Sequence, residues 1–224
     1  MKHSIRGKLF ALSLLTTLTG ASLAGAPASS DFITDLPALQ PVPGVEGSWG
    51  WEAEENTLQS YDKFVLTNVE VFLAPDSPYK GINGRQIQAI TDTLRAAMKL
   101  ELEPDYPLIS QPGPGVAQLS IAITNVKMSK RKKNILQYTP VGLALGGVRS
   151  LADALNNVSL AGAVVEAEFT DSVTGERLAV RVATNPWAQA GVGSGEMSWE
   201  TLESAFVYYA KQVKTRFDAL HGRQ

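Results

Sequence analysis

The chain has 224 residues, which is long enough to bury a hydrophobic core without disulfide bonds. Its formal net charge is −2. It contains no cysteine and two histidines, so thiol catalysis is excluded, and histidine triads or zinc sites are not expected. The slightly acidic balance argues against nucleic acid as a partner, and we expect no cofactor and no metal.

The first 28 residues have the three-part pattern of a secretory signal peptide. A basic start is followed by a mostly apolar run from Leu9 to Leu18 and then by small residues. The apolar run is too short to span a bilayer. We therefore expect export, with cleavage after Ala24 or Ala28 and no transmembrane span in the mature chain.

Lipid attachment at this end is not expected. Leu18, Thr19 and Gly20 match the start of a bacterial lipoprotein box, in which the next residue is an acylated cysteine. Here that residue is Ala21, which has no nucleophile. The sequence thus predicts a periplasmic protein of a Gram-negative bacterium, soluble or peripherally attached to the outer membrane.

Residues 29–60 are punctuated by proline and glycine and predict an irregular segment, here called the lead-in segment. Its Trp49 and Trp51 are expected to cover an edge of the core. Residues 61–224 are expected to form the folded α+β domain.

The domain begins with a strand and a helix. Lys63–Leu73 is rich in β-branched and aromatic residues, and its apolar face changes near Thr67 and Asn68, which predicts a bulge or burial on both sides. A helix is expected after the N-cap Asn83 and is stopped by Pro104. Its apolar stripe consists of Ile87, Ile90, Leu94, Ala97 and Met98.

A second strand is predicted by alternation at Ala117, Leu119, Ile121 and Ile123. The stretch "VEAEFTDSVTGERLAV", residues 165–180, then predicts a β-hairpin whose turn contains Asp171 and Gly175. If both apolar sets share one face, Phe169 is expected opposite Leu178. On the other face, which is expected to point to solvent, the pairs are Glu166 with Arg181 and Thr170 with Arg177.

The last helix is expected to start at Ser198, a favourable N-cap. Its apolar stripe consists of Trp199, Leu202, Phe206, Tyr209, Val213 and Leu220. This order of elements predicts a single α+β domain, a mainly antiparallel sheet with two helices packed on one face.

Four segments carry a family resemblance: "SYDKFVLTNVEVFL", "PGPGVAQLSIAITNV", "VEAEFTDSVTGERLAV" and "SWETLESAFVYYAKQVKTRF". In this order and spacing, from about Asp31 to Leu220, the chain resembles family 3313 of the bacterial domains of unknown function. Members are mostly small periplasmic lipoproteins, which implies an envelope location. The family supplies no catalytic residues, and Ala21 departs from its lipoprotein pattern.

Two adjacent features form the candidate partner-binding region. The first is a basic run made of Lys127, Lys130, Arg131, Lys132 and Lys133. It indicates either a solvated hairpin tip or a contact with anionic lipid headgroups or an acidic partner.

The second feature is the apolar, glycine-rich stretch Tyr138–Leu155, which includes Val141, Leu143, Leu145 and Val148. It would serve either as cover for the core or as an exposed docking surface. The leading hypothesis is a non-enzymatic periplasmic accessory protein that binds an envelope protein or anionic lipid headgroups through Lys127–Leu155.

Two other classes of function are considered. One is a carrier or sensor of a small hydrophobic or lipid-like ligand, held in a cavity lined by Leu94, Ile121 and Phe206. The other is a hydrolase that uses two carboxylates converging in a cleft, and it ranks last.

Overall fold

The computed structural model describes residues 27, 30–55, 57–78, 84–103, 105–130, 158–161, 163–184, 186–191 and 199–223. The strands are β1 Gln40–Pro41, β2 Ser48–Glu52, β3 Lys63–Leu66, β4 Glu70–Leu73, β5 Val116–Lys130, β6 Val158–Ala161, β7 Val164–Asp171 and β8 Arg177–Ala183. The helices are α1 Gly84–Leu102, α2 Pro186–Gln189 and α3 Trp199–Leu220, with a 3-10 turn at Thr57–Ser60.

The strands form one mixed sheet in the order β1-β2-β8-β7-β5-β3. Neighbours are antiparallel except β3 and β4, which both run parallel to successive parts of β5. Helices α1 and α3 pack against each other over one face of the sheet. The predicted single α+β domain with a mainly antiparallel sheet and two helices on one face is confirmed. The parallel pairing of β3 and β4 with β5 was not predicted.

The first core lies between the sheet and the two long helices. Its centre is a group of aromatic rings: Phe64 is fully buried, and its ring centroid lies 4.7 Å from Phe217 and 6.4 Å from both Tyr106 and Phe169. These side chains come from β3, β7, α3 and the segment after α1. The first core therefore joins both helices to the sheet.

The opposite face of the sheet is also buried. Its second core consists of Ile33, Leu39, Trp49, Val180 and Val182, and the lead-in segment covers it. The expectation that the tryptophans cover a core is met by Trp49, which is buried, and by Trp51, which packs against the same cluster. The lead-in segment also adds β1 and β2 to the sheet.

The predicted change of face in the first strand is a break between β3 and β4. Leu66 pairs with Leu119 and Glu70 pairs with Ala122, so the β3–β4 side carries one residue more than β5 between these pairs. The backbone amide of Val69 is satisfied by the hydroxyl of Thr91 on α1, at 3.1 Å. The expected bulge is confirmed.

The predicted hairpin register is right at the turn and wrong beyond it. Thr170 lies opposite Arg177 as expected, but Phe169 lies opposite Ala179 instead of Leu178. Leu178 is thus the extra residue of a bulge. The turn itself is confirmed: the carboxylate of Asp171 accepts from the amides of residues 173 and 174, and Gly175 has φ +73°.

This bulge changes the direction of every later side chain on β8. Glu166 lies opposite Val182, so the expected Glu166–Arg181 pair does not form. Val180 and Val182 enter the second core, whereas Arg181 points to the helix side. The prediction failed because it assumed one buried face, and the second core accepts the valines of β8 equally well.

Glu166 is buried on the second face, with 4% of its surface exposed, and was expected to point to solvent. Its carboxylate accepts hydrogen bonds from the hydroxyls of Thr124, at 2.5 Å, and Ser30, at 2.6 Å. The Ser30 bond fastens the start of the lead-in segment to the sheet.

We expect Glu166→Ala to lower the free energy of unfolding by about 1.5–3 kcal/mol, because it removes two hydrogen bonds to a charged group and leaves the Thr124 hydroxyl buried without its acceptor. Urea denaturation measures the change. Glu176→Ala, in the exposed hairpin turn, is the control. Equal effects of the two substitutions would contradict a structural role for Glu166.

The two long helices follow their predicted stripes over the side chains that the structure describes, which do not include that of Trp199. Ile90, Leu94, Ala97 and Met98 are buried on α1, which ends at Leu102, two residues before Pro104. The proposed caps Asn83 and Ser198 lie outside the described residues. Among the described helices, none has the length and apolar character needed to cross a membrane.

Candidate functional site

One end of the sheet presents short side chains to the helices. Ser48 on β2, Ala167 on β7, and Ala179 and Ala183 on β8 occupy helix-facing positions there. The neighbouring strand β5 instead presents larger residues such as Ile121. Because the short side chains do not reach the helix layer, space remains beneath α3.

This space is a cavity of about 390 Å³. Its walls are mostly apolar and come from the sheet, α1, α3 and the segment before β2. Leu94 and Ile121 line it, as the carrier hypothesis expected, whereas Phe206 is buried in the first core. The volume falls within the roughly 300–1,000 Å³ that is usual for small-molecule sites.

Polar groups occur at the side of the cavity near α2. The hydroxyl of Tyr209 donates to Oε1 of Gln189 at 3.2 Å, and Tyr208 packs edge-on against the Tyr209 ring. Burial raises the pKa of Tyr209, so its phenol stays protonated and remains a hydrogen-bond donor across the physiological range.

Two arginines line the cavity, Arg181 from β8 and Arg216 from α3. Nη1 of Arg181 donates to the backbone oxygens of Trp51, at 3.3 Å, and Val180, at 3.0 Å. Its Nη2 contacts Oε1 of Glu52 at 2.5 Å. These three contacts hold the guanidinium in one orientation along the sheet.

Gly50 is what allows Arg181 to lie there. It is the cross-strand partner of Arg181, and a Cβ added to it would lie 2.5 Å from Nη1 and 2.9 Å from Cζ of the arginine. Any other residue at this position would push the guanidinium away from the sheet.

Arg216 binds the same carboxylate. Its Nη2 lies 3.0 Å from Oε1 and 2.9 Å from Oε2 of Glu52. One carboxylate is therefore shared by two guanidiniums, and this group of three side chains carries a formal charge of +1. The excess positive charge lies at a mostly apolar cavity.

Comparison with known proteins identifies the family. A sequence model described as "Protein of unknown function (DUF3313)" matches residues 28–213. The chain belongs to this family. The resemblance seen in the four sequence segments is confirmed, and no curated protein shows detectable similarity to the chain.

Solved structures show distant likenesses to this DUF3313 protein. The PelC dodecamer from Paraburkholderia phytofirmans is 12% identical, covering 79% of this chain and 97% of that chain, with a TM-score of 0.32. A DUF4136 family protein from Bacteroides thetaiotaomicron is 8% identical, covering 78% and 96%, with a TM-score of 0.34.

The predicted partner-binding region lies mostly outside the described residues. Lys127 is exposed on β5, and its ammonium pairs with Asp76 at 2.6 Å. Lys130 ends β5 opposite Val158 of β6, so the chain between these two strands carries the rest of the region. The residues outside the described part are Arg131, Lys132, Lys133, Val141, Leu143, Leu145 and Val148.

Two carboxylates share one lysine at the end of α3. Nζ of Lys214 lies 2.8 Å from Asp218 and 3.0 Å from Asp105. The hydrogen bond from Lys214 lowers the pKa of Asp218, whereas a carboxyl general acid needs a raised pKa. Within the described ranges, no cluster of three or more histidine, aspartate or glutamate side chains forms a metal-binding group.

Sequence reasoning missed the group formed by Gly50, Glu52, Arg181 and Arg216. Arg181 was expected on the solvent face, and no role was predicted for Arg216. The available signal was the pattern Ala179, Arg181, Ala183, which alternates with the valines of β8. It indicates a strand with one apolar face and a second face of small residues around a charge.

Proposed function

We propose that the protein is a non-enzymatic binding protein for a small hydrophobic or lipid-like ligand, acting as a carrier or sensor in the periplasm. The observation that carries the proposal is the 390 Å³ cavity between the sheet and α3. The signal-peptide pattern supports the location. Binding of an envelope partner through Lys127–Leu155 stays a prediction from the sequence.

The physical driving force is burial of the apolar walls. Covering apolar surface contributes about 25 cal/mol per Å² removed from water, and each buried methylene contributes about 0.8 kcal/mol. A ligand with an alkyl chain would gain this energy from walls that include Leu94, Ile121 and Val213. Because these walls come from the sheet and both long helices, the site is largely formed before the ligand arrives.

The test uses a series of primary alcohols from hexanol to tetradecanol. We expect the dissociation constant to fall about fourfold for each added methylene, until the chain fills the cavity and affinity levels off. Displacement of the neutral fluorescent probe N-phenylnaphthylamine from the purified protein measures this.

An exposed apolar residue supplies the control. Leu100 on α1 is 60% exposed, and Leu100→Ser is expected to leave every affinity unchanged. Absence of saturable probe binding by the folded protein would contradict the proposal. So would an affinity that keeps rising with chain length without a plateau, because that behaviour indicates adsorption to the surface.

A further inference from the structure

We infer that the ligand of the cavity is an amphiphile with a single anionic head group, which binds at Arg181 and Arg216. The inference rests on the proposed function, since it assigns the head group of a ligand whose apolar part lies in the cavity. It is carried by the charged residues at the cavity wall and by the way the sheet holds one of them.

The charges at the cavity are of one sign. Among the described residues that line it, the charged side chains are Arg181 and Arg216. Their common partner, Glu52, balances one of the two positive charges. Placing a second anion there would neutralise the other; the side chains of Arg181 and Arg216 are 34% and 42% exposed, so solvent partly screens this attraction.

Arg216 also keeps donors for a ligand. A guanidinium has five N–H donors, and Arg216 uses its Nη2 group on Glu52. In the part of the chain that the structure describes, no residue accepts from Nε or Nη1 of Arg216. Nε and Nη1 lie on different edges of the plane, so each can donate one charge-assisted hydrogen bond to an oxygen of a carboxylate or a phosphate.

Arg181 is fixed in place before any ligand binds. Its side chain lies across Gly50, and two backbone oxygens and Glu52 hold its guanidinium. A preorganised cation loses little side-chain freedom on binding, so more of the attraction appears as affinity. Gly50 therefore acts as a positioning residue for the cation.

Ligands that share one alkyl chain and differ in their head group test the inference. We expect dodecanoate or dodecyl phosphate to bind at least about tenfold more tightly than dodecanol, because charge-assisted hydrogen bonds exceed neutral ones. Displacement of N-phenylnaphthylamine from the purified full chain measures all three. Tighter binding of either anion supports the inference, and the order of the two anions assigns the head group.

Two variants separate the effect of the charge of Arg216 from the effect of the position of Arg181. Arg216→Gln is expected to weaken dodecanoate binding about tenfold more than dodecanol binding, and the dodecanol binding that remains shows that the cavity is intact. Gly50→Ala, which displaces Arg181 without removing a charge, is expected to act in the same direction. Lys211→Gln is the control, because this exposed lysine on α3 does not line the cavity.

The outcomes distinguish the two proposals. If dodecanol and the anions bind equally and Arg216→Gln changes nothing, the anionic head group is wrong and the hydrophobic site stands. If dodecanol and the neutral probe do not bind at all, the proposed function itself is wrong.

Discussion

Ala167→Trp is expected to weaken dodecanol binding about 60- to 200-fold while the protein stays folded. Ala167 lies on β7 between Ile121 of β5 and Arg181 of β8, and its side chain faces the cavity. An indole there would occupy the space that several methylenes of a ligand need. Displacing three or four methylenes at about 0.8 kcal/mol each corresponds to this loss.

The folded state should tolerate the larger side chain. Overpacking a filled core costs about 1–3 kcal/mol, but here the ring enters a space that already exists. We therefore expect an unchanged or higher melting temperature, and circular dichroism with thermal unfolding measures it. The smaller Ala167→Leu, which should weaken binding less, covers the case in which the tryptophan variant does not fold.

Val173→Trp is the matched control for this substitution. Val173 is 64% exposed in the hairpin turn and does not line the cavity, so its replacement should leave ligand affinity unchanged. Wild-type affinity in a folded Ala167→Trp variant would show that the ligand binds somewhere other than this cavity.

The largest effect on stability is expected for Phe64→Ala. Phe64 is fully buried, and its ring meets those of Phe217, Tyr106 and Phe169. Removing it leaves a void at the junction of β3, β7 and α3 that rigid neighbours fill only in part. The expected loss in the free energy of unfolding is about 3–5 kcal/mol.

Phe72→Ala on β4 provides the comparison. Phe72 is half-buried, and its ring centroid lies 6.3 Å from that of Phe32. Its removal should therefore lower the free energy of unfolding clearly less. Urea denaturation of both variants, with comparison of the slopes as well as the midpoints, measures the difference. A loss below about 2 kcal/mol for Phe64→Ala would contradict the position of the first core.

Much of the fold is local enough to be predicted from the sequence. The stripes of α1 and α3, the bulge between β3 and β4 and the turn at Asp171 and Gly175 all follow from periodicity or turn chemistry. Each depends on residues close together in the chain. The fold class follows from the order of these elements.

The register of β8 was not predictable in this way. A strand whose two faces are both buried satisfies its apolar pattern in either register. The valines of β8 therefore did not indicate the bulge at Leu178. The second core exists because the lead-in segment covers that face of the sheet, and this contact joins residues far apart in the chain. For the same reason, Glu166 was wrongly placed at the surface.

The candidate site was only partly predictable. Leu94 and Ile121 were expected to line a cavity because they lie on facing apolar surfaces. The short side chains that create the space come from β2, β7 and β8, segments that become neighbours only through the sheet. The Arg181–Glu52 pair joins residues 129 positions apart, and no local pattern relates them.

The most direct test of the cavity as a ligand site is nuclear Overhauser contacts between bound dodecanoate and the methyl groups of the protein. The account predicts contacts from the alkyl chain to Leu94, Ile121 and Val213, with the methylene next to the carboxylate nearest Arg181 and Arg216. Contacts confined to exposed residues such as Leu100, or no contacts in a well-folded sample, would contradict it.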